Sequence, residues 1–157
     1  RYPNIVGSSA DGKLGEKNSF ISRIVPSFYK NIIKKKISIL FYDFSKKSFP
    51  KRNYMHVEDI ADINVKVIQN LKKFKKNYHV FNINNQKQYS NIDVLNTMSK
   101  IMKKKPEYSL KQISKKESMS QYYKSKDNLA KYINFNVKYK SLEKILKTNI
   151  KWFKKIY

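Results

Sequence analysis

Apolar residues recur along this chain with two periods, and the alternation between them predicts the elements. RYPNIV at 1–6 is a short apolar run closed by Gly7, which reads as a buried strand and a turn. Ser8–Asn18, with Gly12 and Gly15, reads as a surface loop. From Ser22 to about Lys35, Ile24, Phe28, Ile32 and Ile33 fall at helical spacing, and Pro26 sits near the first turn, where amide donors are unpaired anyway. Ile37–Tyr42 reads as a strand and Asp43–Lys51 as a polar loop. An extended segment from Arg52 turns at Glu58–Asp59 into a helix reaching Leu71, with Ile60, Ile63, Val67, Ile68 and Leu71 on one face. Asp59 and Asp62 fall in its first turn, where the macrodipole favours acids. Tyr78–Asn82 is apolar enough for a parallel sheet.

The second half repeats the alternation. Ser90 and Asp93 form a capping-box pattern opening a helix with Val94, Leu95, Met98, Ile101 and Met102 inward, which Pro106 ends. Tyr108–Ile113 reads as a strand, and Ser114–Ser120 as a polar loop. Ser125 is expected to cap a short helix (Leu129, Ala130, Ile133), and Ser141 the last one (Leu142, Ile145, Leu146, Ile150, Phe153). Strands alternating with helices of this length indicate an α/β protein.

Charge changes the picture less than its size suggests. The formal net charge of +24 invites a nucleic-acid reading. Yet of 35 basic residues only Arg1, Arg23 and Arg52 are Arg, and Lys, Asn, Ile, Tyr and Phe, all with A/T-rich codons, make up 87 of 157 positions. Nucleic-acid readers favour Arg for bidentate contacts, so the Lys runs read as solvated surface. No run is apolar and long enough to span a bilayer, and no signal-peptide pattern occurs, which makes a cytoplasmic protein the default. With no Cys, disulfides and thiolate metal sites are excluded. The absence of an initiator Met and the immediate buried strand suggest a fragment.

Candidate chemistry is sparse. His56 and His79 lack ligands at helical spacing, so no metal site is expected. His56 reads as a hydrogen-bonded link between strand and helix, and His79 as a sheet residue. Asp11 and Glu16 are loop carboxylates without a visible partner. The glycine spacing matches neither phosphate-cradle motif. Arg52 stands out, because a chain biased to Lys keeps there the planar fork suited to phosphate. Phe41 and Tyr42 end a strand, where ligand sites of α/β proteins collect.

Several stretches, in order, resemble the C-terminal half of the NAD-dependent epimerases of nucleotide sugars, extended short-chain dehydrogenase/reductases. They are RYPNIVG at 1–7, DGKLGE at 11–16, SRIVP at 22–26, ILF at 39–41, RNYMHVEDIAD at 52–62, FNINNQKQYSNIDVL at 81–95 and YINFNVKYKSLEKIL near the end. The 52–62 motif is shared by many members, and DGKLGE points to the 4-epimerases of UDP-glucose. The resemblance implies the C-terminal part of a Rossmann-like NAD(P)-binding fold plus the smaller α/β substrate-binding domain. Residues 1–7 would supply a late Rossmann strand and 8–51 the first part of the substrate domain. Residues 52–86 would return to the Rossmann domain, and 87–157 would complete the substrate domain. It implies Asn4 and Arg52 on a UDP diphosphate, Pro3 against the nicotinamide of NAD, Ile24 at a uridine or sugar contact and Ile39 to Phe41 along the uracil. Arg23 stands in place of a pocket Asn, Tyr54 faces substrate with Arg52, Lys115 replaces a second phosphate-binding Arg, and Tyr122 walls the hexose pocket, disfavouring an N-acetyl group.

The implied reaction is interconversion of UDP-glucose and UDP-galactose with NAD, in a full-length homodimer with neither nucleic acid nor membrane as partner. The Gly-x-x-Gly-x-x-Gly loop and the catalytic Tyr-x-x-x-Lys pair are expected upstream of Arg1, leaving this chain to bind substrate and by itself inactive. Ser118 replaces an Asp at the ribose, and Asn84, Asn85 and Gln86 replace glycines. Alternatives are a nucleotide-sugar dehydratase or decarboxylase of the same family, an inactive remnant, and, on charge alone, a basic nucleic-acid-binding module.

Overall fold

The structure, a computed structural model, describes residues 1–17, 23–75, 78–83, 87–114 and 128–157. Readings placed on Lys115, Ser118, Tyr122, Ser125 and 84–86 lie outside these residues. Among these described residues, five strands and four α-helices follow one another: β1 (Asn4–Val6), α1 (Ile24–Lys34), β2 (Ser38–Tyr42), β3 (Lys51–His56), α2 (Val57–Gln69), β4 (Gln88–Ser90), α3 (Asn91–Met102), β5 (Tyr108–Gln112) and α4 (Leu142–Ile156). β3 is central to one sheet, parallel to β1 through Asn4↔Tyr54 and Val6↔His56 and antiparallel to β4 through Arg52↔Tyr89. β2 and β5 form a separate parallel pair, Ile39 opposite Ser109 and Phe41 opposite Lys111.

Two apolar cores flank β3. The larger one packs α1, α3 and α4 with Leu40 and Tyr54, and holds the fully buried Leu95, Met98, Ile145, Leu146 and Phe153. The smaller one gathers Met55, Ile60, Ile63, Leu129 and Ile133. Successive strand residues point to opposite faces, so Tyr54 enters one core and Met55 the other.

Of the three predicted serine caps, those at Ser90 and Ser141 form, and Ser125 lies outside the described residues. Ser90 accepts from the Asp93 N–H, and the Asp93 carboxylate accepts from the Ser90 N–H, closing a capping box. Ser141 accepts from the Lys144 N–H at the start of α4, whose inward side chains are those predicted. Elsewhere the boundaries differ. α2 starts at Val57, because the His56 ring, by accepting from the Glu58 N–H, is itself the N-cap. It ends at Gln69, and a short 3-10 turn, Leu71–Lys73, follows. Ile68 lies about a quarter turn from the Ile60, Ile63 and Val67 stripe and Leu71 falls past the helix end, so both are exposed. Ile33, half a turn from Ile24, is likewise exposed on α1.

Tyr78–Asn82 does not form a strand. It is tied to residue 1, the Arg1 ammonium donating to Phe81 O and the Ile83 N–H to Arg1 O. His79 is consequently a member of an aromatic cluster, stacked on Phe81 and edge-on to Phe74 and Tyr132. The expected short helix is a 3-10 turn, Leu129–Lys131, capped by Asn128. β4 was invisible as a strand because its three residues run straight into a helix cap.

Candidate functional site

The site is built where β1, the start of α1, the ends of β2 and β5, and β3 converge. One cleft of about 250 Å³ is bordered by Asn4, Glu16, Arg23, Ile24, Tyr54 and Asn149. A neighbouring cleft of about 120 Å³ is bordered by Ile24, Phe41, Pro50, Arg52, Tyr54 and Asn91, with Ile113. Ile24 and Tyr54 belong to both, so the two clefts adjoin. Tyr54, almost fully buried between them, is hydrogen-bonded by the Asn4 side chain. Burial pushes its phenol above the ordinary range, which favours the neutral form of the side chain.

Of the residues singled out in the sequence, Asn4, Arg23, Ile24, Phe41, Arg52 and Tyr54 come together here. Ile39 and Pro3 border neither cleft; Ile39 shares the Phe41 face of β2 but is more than half exposed. Lys115 and Tyr122 lie outside the described residues.

The loop carboxylates do have partners. Glu16 Oε1 is 3.0 Å from Arg23 Nη1, an ion pair at the edge of the larger cleft, while Asp11 accepts from Ser9 Oγ and the Lys13 N–H. The DGKLGE loop is docked on α4: Trp152 Nε1 donates to Glu16 O, and Lys151 and Lys155 donate to Ala10 O and Gly12 O. A Cβ on Gly15 would lie 2.5 Å from the Trp152 ring, so the loop's second glycine is a packing requirement.

Behind the clefts, His56, Glu58 and Asp59 tie three segments together. His56 is fully buried, its Nδ1 accepting from Glu58 N–H and its Nε2 2.9 Å from Thr148 Oγ1, with the ring stacked 3.5 Å from that of Tyr139. Burial pulls its pKa down, and the neutral ring with its proton on Nε2 suits both bonds. Asp59 accepts from the N–H groups of Lys138 and Tyr139, so its carboxylate anchors the approach to α4 instead of facing only the α2 dipole. Glu58 accepts from Ala10 N–H and Tyr139 O–H; that phenol is pushed up to about 12 by burial and by its bond to Glu58. Asp62 pairs with Lys66 one turn along the helix.

Tyr-x-x-x-Lys spacing occurs at Tyr42–Lys46 and Tyr122–Lys126. The first spans a strand end and a turn closed by Asp43, whose Oδ1 accepts from Ser45 and Lys46 N–H. Four-residue spacing brings side chains together on a helix, so this is no catalytic pair. The second lies outside the described residues. Among the described residues no group of three or more potential metal ligands occurs, and no helix is long and apolar enough to cross a membrane.

Sequence reasoning missed Asn91 and Asn149. Asn149 falls on the apolar stripe of α4, three and four residues from Leu146 and Ile145, and a polar residue on such a stripe is a usable signal. It accepts from the Gly7 N–H. Asn91, directly after a helix cap, carried no signal.

This combination of β1–β3 pairing, a structured DGKLGE loop and an Arg-lined cleft is that of a family: the chain belongs to the NAD dependent epimerase/dehydratase family, whose profile matches residues 1–84. Among curated proteins it is similar to the UDP-glucose 4-epimerase of Lactobacillus helveticus, 31% identical over 104 residues that make up 64% of this chain and 31% of that protein. The UDP-glucose 4-epimerase of Lacticaseibacillus casei is 30% identical over a stretch of the same length. Among solved structures, the fold matches UDP-glucose 4-epimerase from Bifidobacterium longum in complex with NAD+ and UDP, with a TM-score of 0.84 at 23% identity, over 99% of this chain and 46% of that one. It also matches UDP-glucuronic acid 4-epimerase from Bacillus cereus, with a TM-score of 0.75 at 18% identity. The chain thus spans less than half the length of these relatives.

NAD is the cofactor of the family. The three glycines here are not arranged to cradle its pyrophosphate: a Cβ on Gly7 would meet the His56 ring at 2.4 Å, Gly15 meets Trp152, and Gly12 sits against Lys151 and Lys155. Among the described residues, the glycines thus pack against side chains and form no dinucleotide cradle.

Proposed function

We propose that this chain is the substrate-binding half of an NAD-dependent UDP-hexose 4-epimerase interconverting UDP-glucose and UDP-galactose. The observation that carries the reading is the convergence of Arg23 and Arg52, two of only three Arg in the chain, on adjoining clefts that share Ile24 and Tyr54. The planar Arg52 fork suits a diphosphate, and the apolar cleft beside it, with Phe41, Ile24 and Pro50, suits a flat pyrimidine. The larger cleft, with Asn4, Glu16 and Arg23, is polar enough for hydroxyl groups of a sugar. Residues 8–51 and 87–157 form the substrate side and 52–86 return the chain towards the dinucleotide side. The chain's role is to bind and orient; hydride chemistry belongs to the cofactor.

Calorimetric titration with UDP tests this. Saturable binding is expected, with Arg52→Ala weakening it about 10–100-fold, the loss of a charge-assisted hydrogen bond, and Arg52→Lys falling between. No UDP binding, or an unchanged Arg52→Ala variant, would overturn the reading. UDP-galactose supplied with NAD is expected to be bound but not turned over by these 157 residues.

A further inference from the structure

Asn91 opens α3 and borders the smaller cleft. It is more than nine-tenths buried, and its amide is oriented by a 2.9 Å hydrogen bond from Nδ2 to Phe41 O, at the end of β2. Its Oδ1 is sealed from solvent and accepts no hydrogen bond. A buried amide oxygen left without a donor is costly, and native structures seldom keep one without a reason. The nearby Ser90 hydroxyl is already committed to Asp93, the cleft walls at Ile24, Phe41, Pro50 and Ile113 carry no side-chain donor, and Arg52 and Tyr54, which do carry one, make no hydrogen bond to this oxygen. The residue's position matters as much as its chemistry. Asn91 faces the same cleft as Phe41 and Arg52, the aromatic wall and the cation that make the cleft suited to a nucleotide.

We propose that Asn91 is a specificity-determining residue whose Oδ1 accepts a hydrogen bond from the nucleoside seated in this cleft. This rests on the reading of the clefts as a UDP-sugar site. The donor is an N–H or O–H of the nucleoside, with two sources in UDP: the uracil N3–H and a ribose hydroxyl. Because the oxygen is covered when the cleft is empty, seating the ligand must part the side chains over it. With Nδ2 bonded to Phe41 O, Oδ1 is the heavy atom of the amide that has no hydrogen-bond partner. The site thereby favours bases or sugars presenting a donor over isosteres lacking it, since the isostere leaves the acceptor buried and unanswered.

The test is calorimetric titration of the 157-residue chain with UDP, N3-methyl-UDP and 2′-deoxy-UDP. UDP is expected to bind about tenfold more tightly than one of the two defective probes, and which one fails names the donor. Asn91→Val is expected to erase that preference, and Asn91→Asp, which keeps an acceptor oxygen, to retain it. Should the Val variant not fold, the wild-type chain still decides: the Asn91 side-chain carbonyl resonance should shift with UDP and not with the failing probe. Equal binding of all three nucleotides, or a preference that survives Asn91→Val, would overturn the role of Asn91 while leaving the UDP site intact. No binding of UDP itself would overturn the site assignment.

Discussion

Gly7 and His56 occupy one another's space. Gly7 has φ +113°, a region L side chains avoid, and the ring of His56 fills the place where its Cβ would be. Gly7→Ala is therefore expected to destabilise by about 1–3 kcal/mol from the backbone alone, with the ring clash added, measured as a lowered urea midpoint. His56 also sets a pH dependence. Its ring is held below the ordinary value of 6.5 in the folded chain, so just below that pH the unfolded chain binds a proton the folded ring does not. The stability contribution is complete above 6.5 and is lost as pH falls through the folded value; urea midpoints should fall across that window, and less so in His56→Gln. Asp59→Ala should cost about 1–3 kcal/mol for each of the two backbone N–H groups it strands, read as a lowered thermal midpoint. At this scale the sequence showed His56 as a strand-to-helix link and Arg52 as a retained fork. It could not show which loop Asp59 would hold, since residue 138 is distant in the chain, nor that Asn91 would be left with a vacant acceptor.

Elements announced by local chemistry were the legible ones. The capping box at Ser90 and the cap at Ser141 depend on residues three apart, and both helices start where those residues place them. Ser90→Ala should cost about 1 kcal/mol, visible as earlier loss of helical circular dichroism on heating. Elements that depend on distant partners were not legible. Tyr78–Asn82 has the composition of a strand but forms none, and β4 gains its hydrogen bonds from β3 with no pattern of its own. The apolar face of α2 was read too widely because Ile68 and Leu71 match the helical period only if the helix is longer and its stripe broader than they are.

Across the whole molecule, acidic residues are too few to balance the surface, and several of them hold structure together: Glu58 and Asp59 on loops, Glu16 on Arg23, Asp43 on a turn. A net charge of +24 repels itself, so the thermal midpoint should rise with added sodium chloride, whereas UDP affinity should fall as salt screens Arg52. The α/β class and the order of the described α-helices were readable from periodicity. The adjoining of the two clefts was not, because it arises where Ile24, at the start of α1, and Tyr54, on the central strand β3, wall both.

That strand imposes a parity rule. Tyr54 and Met55 feed different cores because neighbouring positions of β3 alternate sides, so inserting or deleting one residue between Lys51 and His56 would exchange the two sets of neighbours wholesale. An aromatic ring would be driven into the space of a methionine, and the cation at position 52 would turn away from its cleft. Change in β3 is thus open to substitution but closed to alterations of length by an odd number.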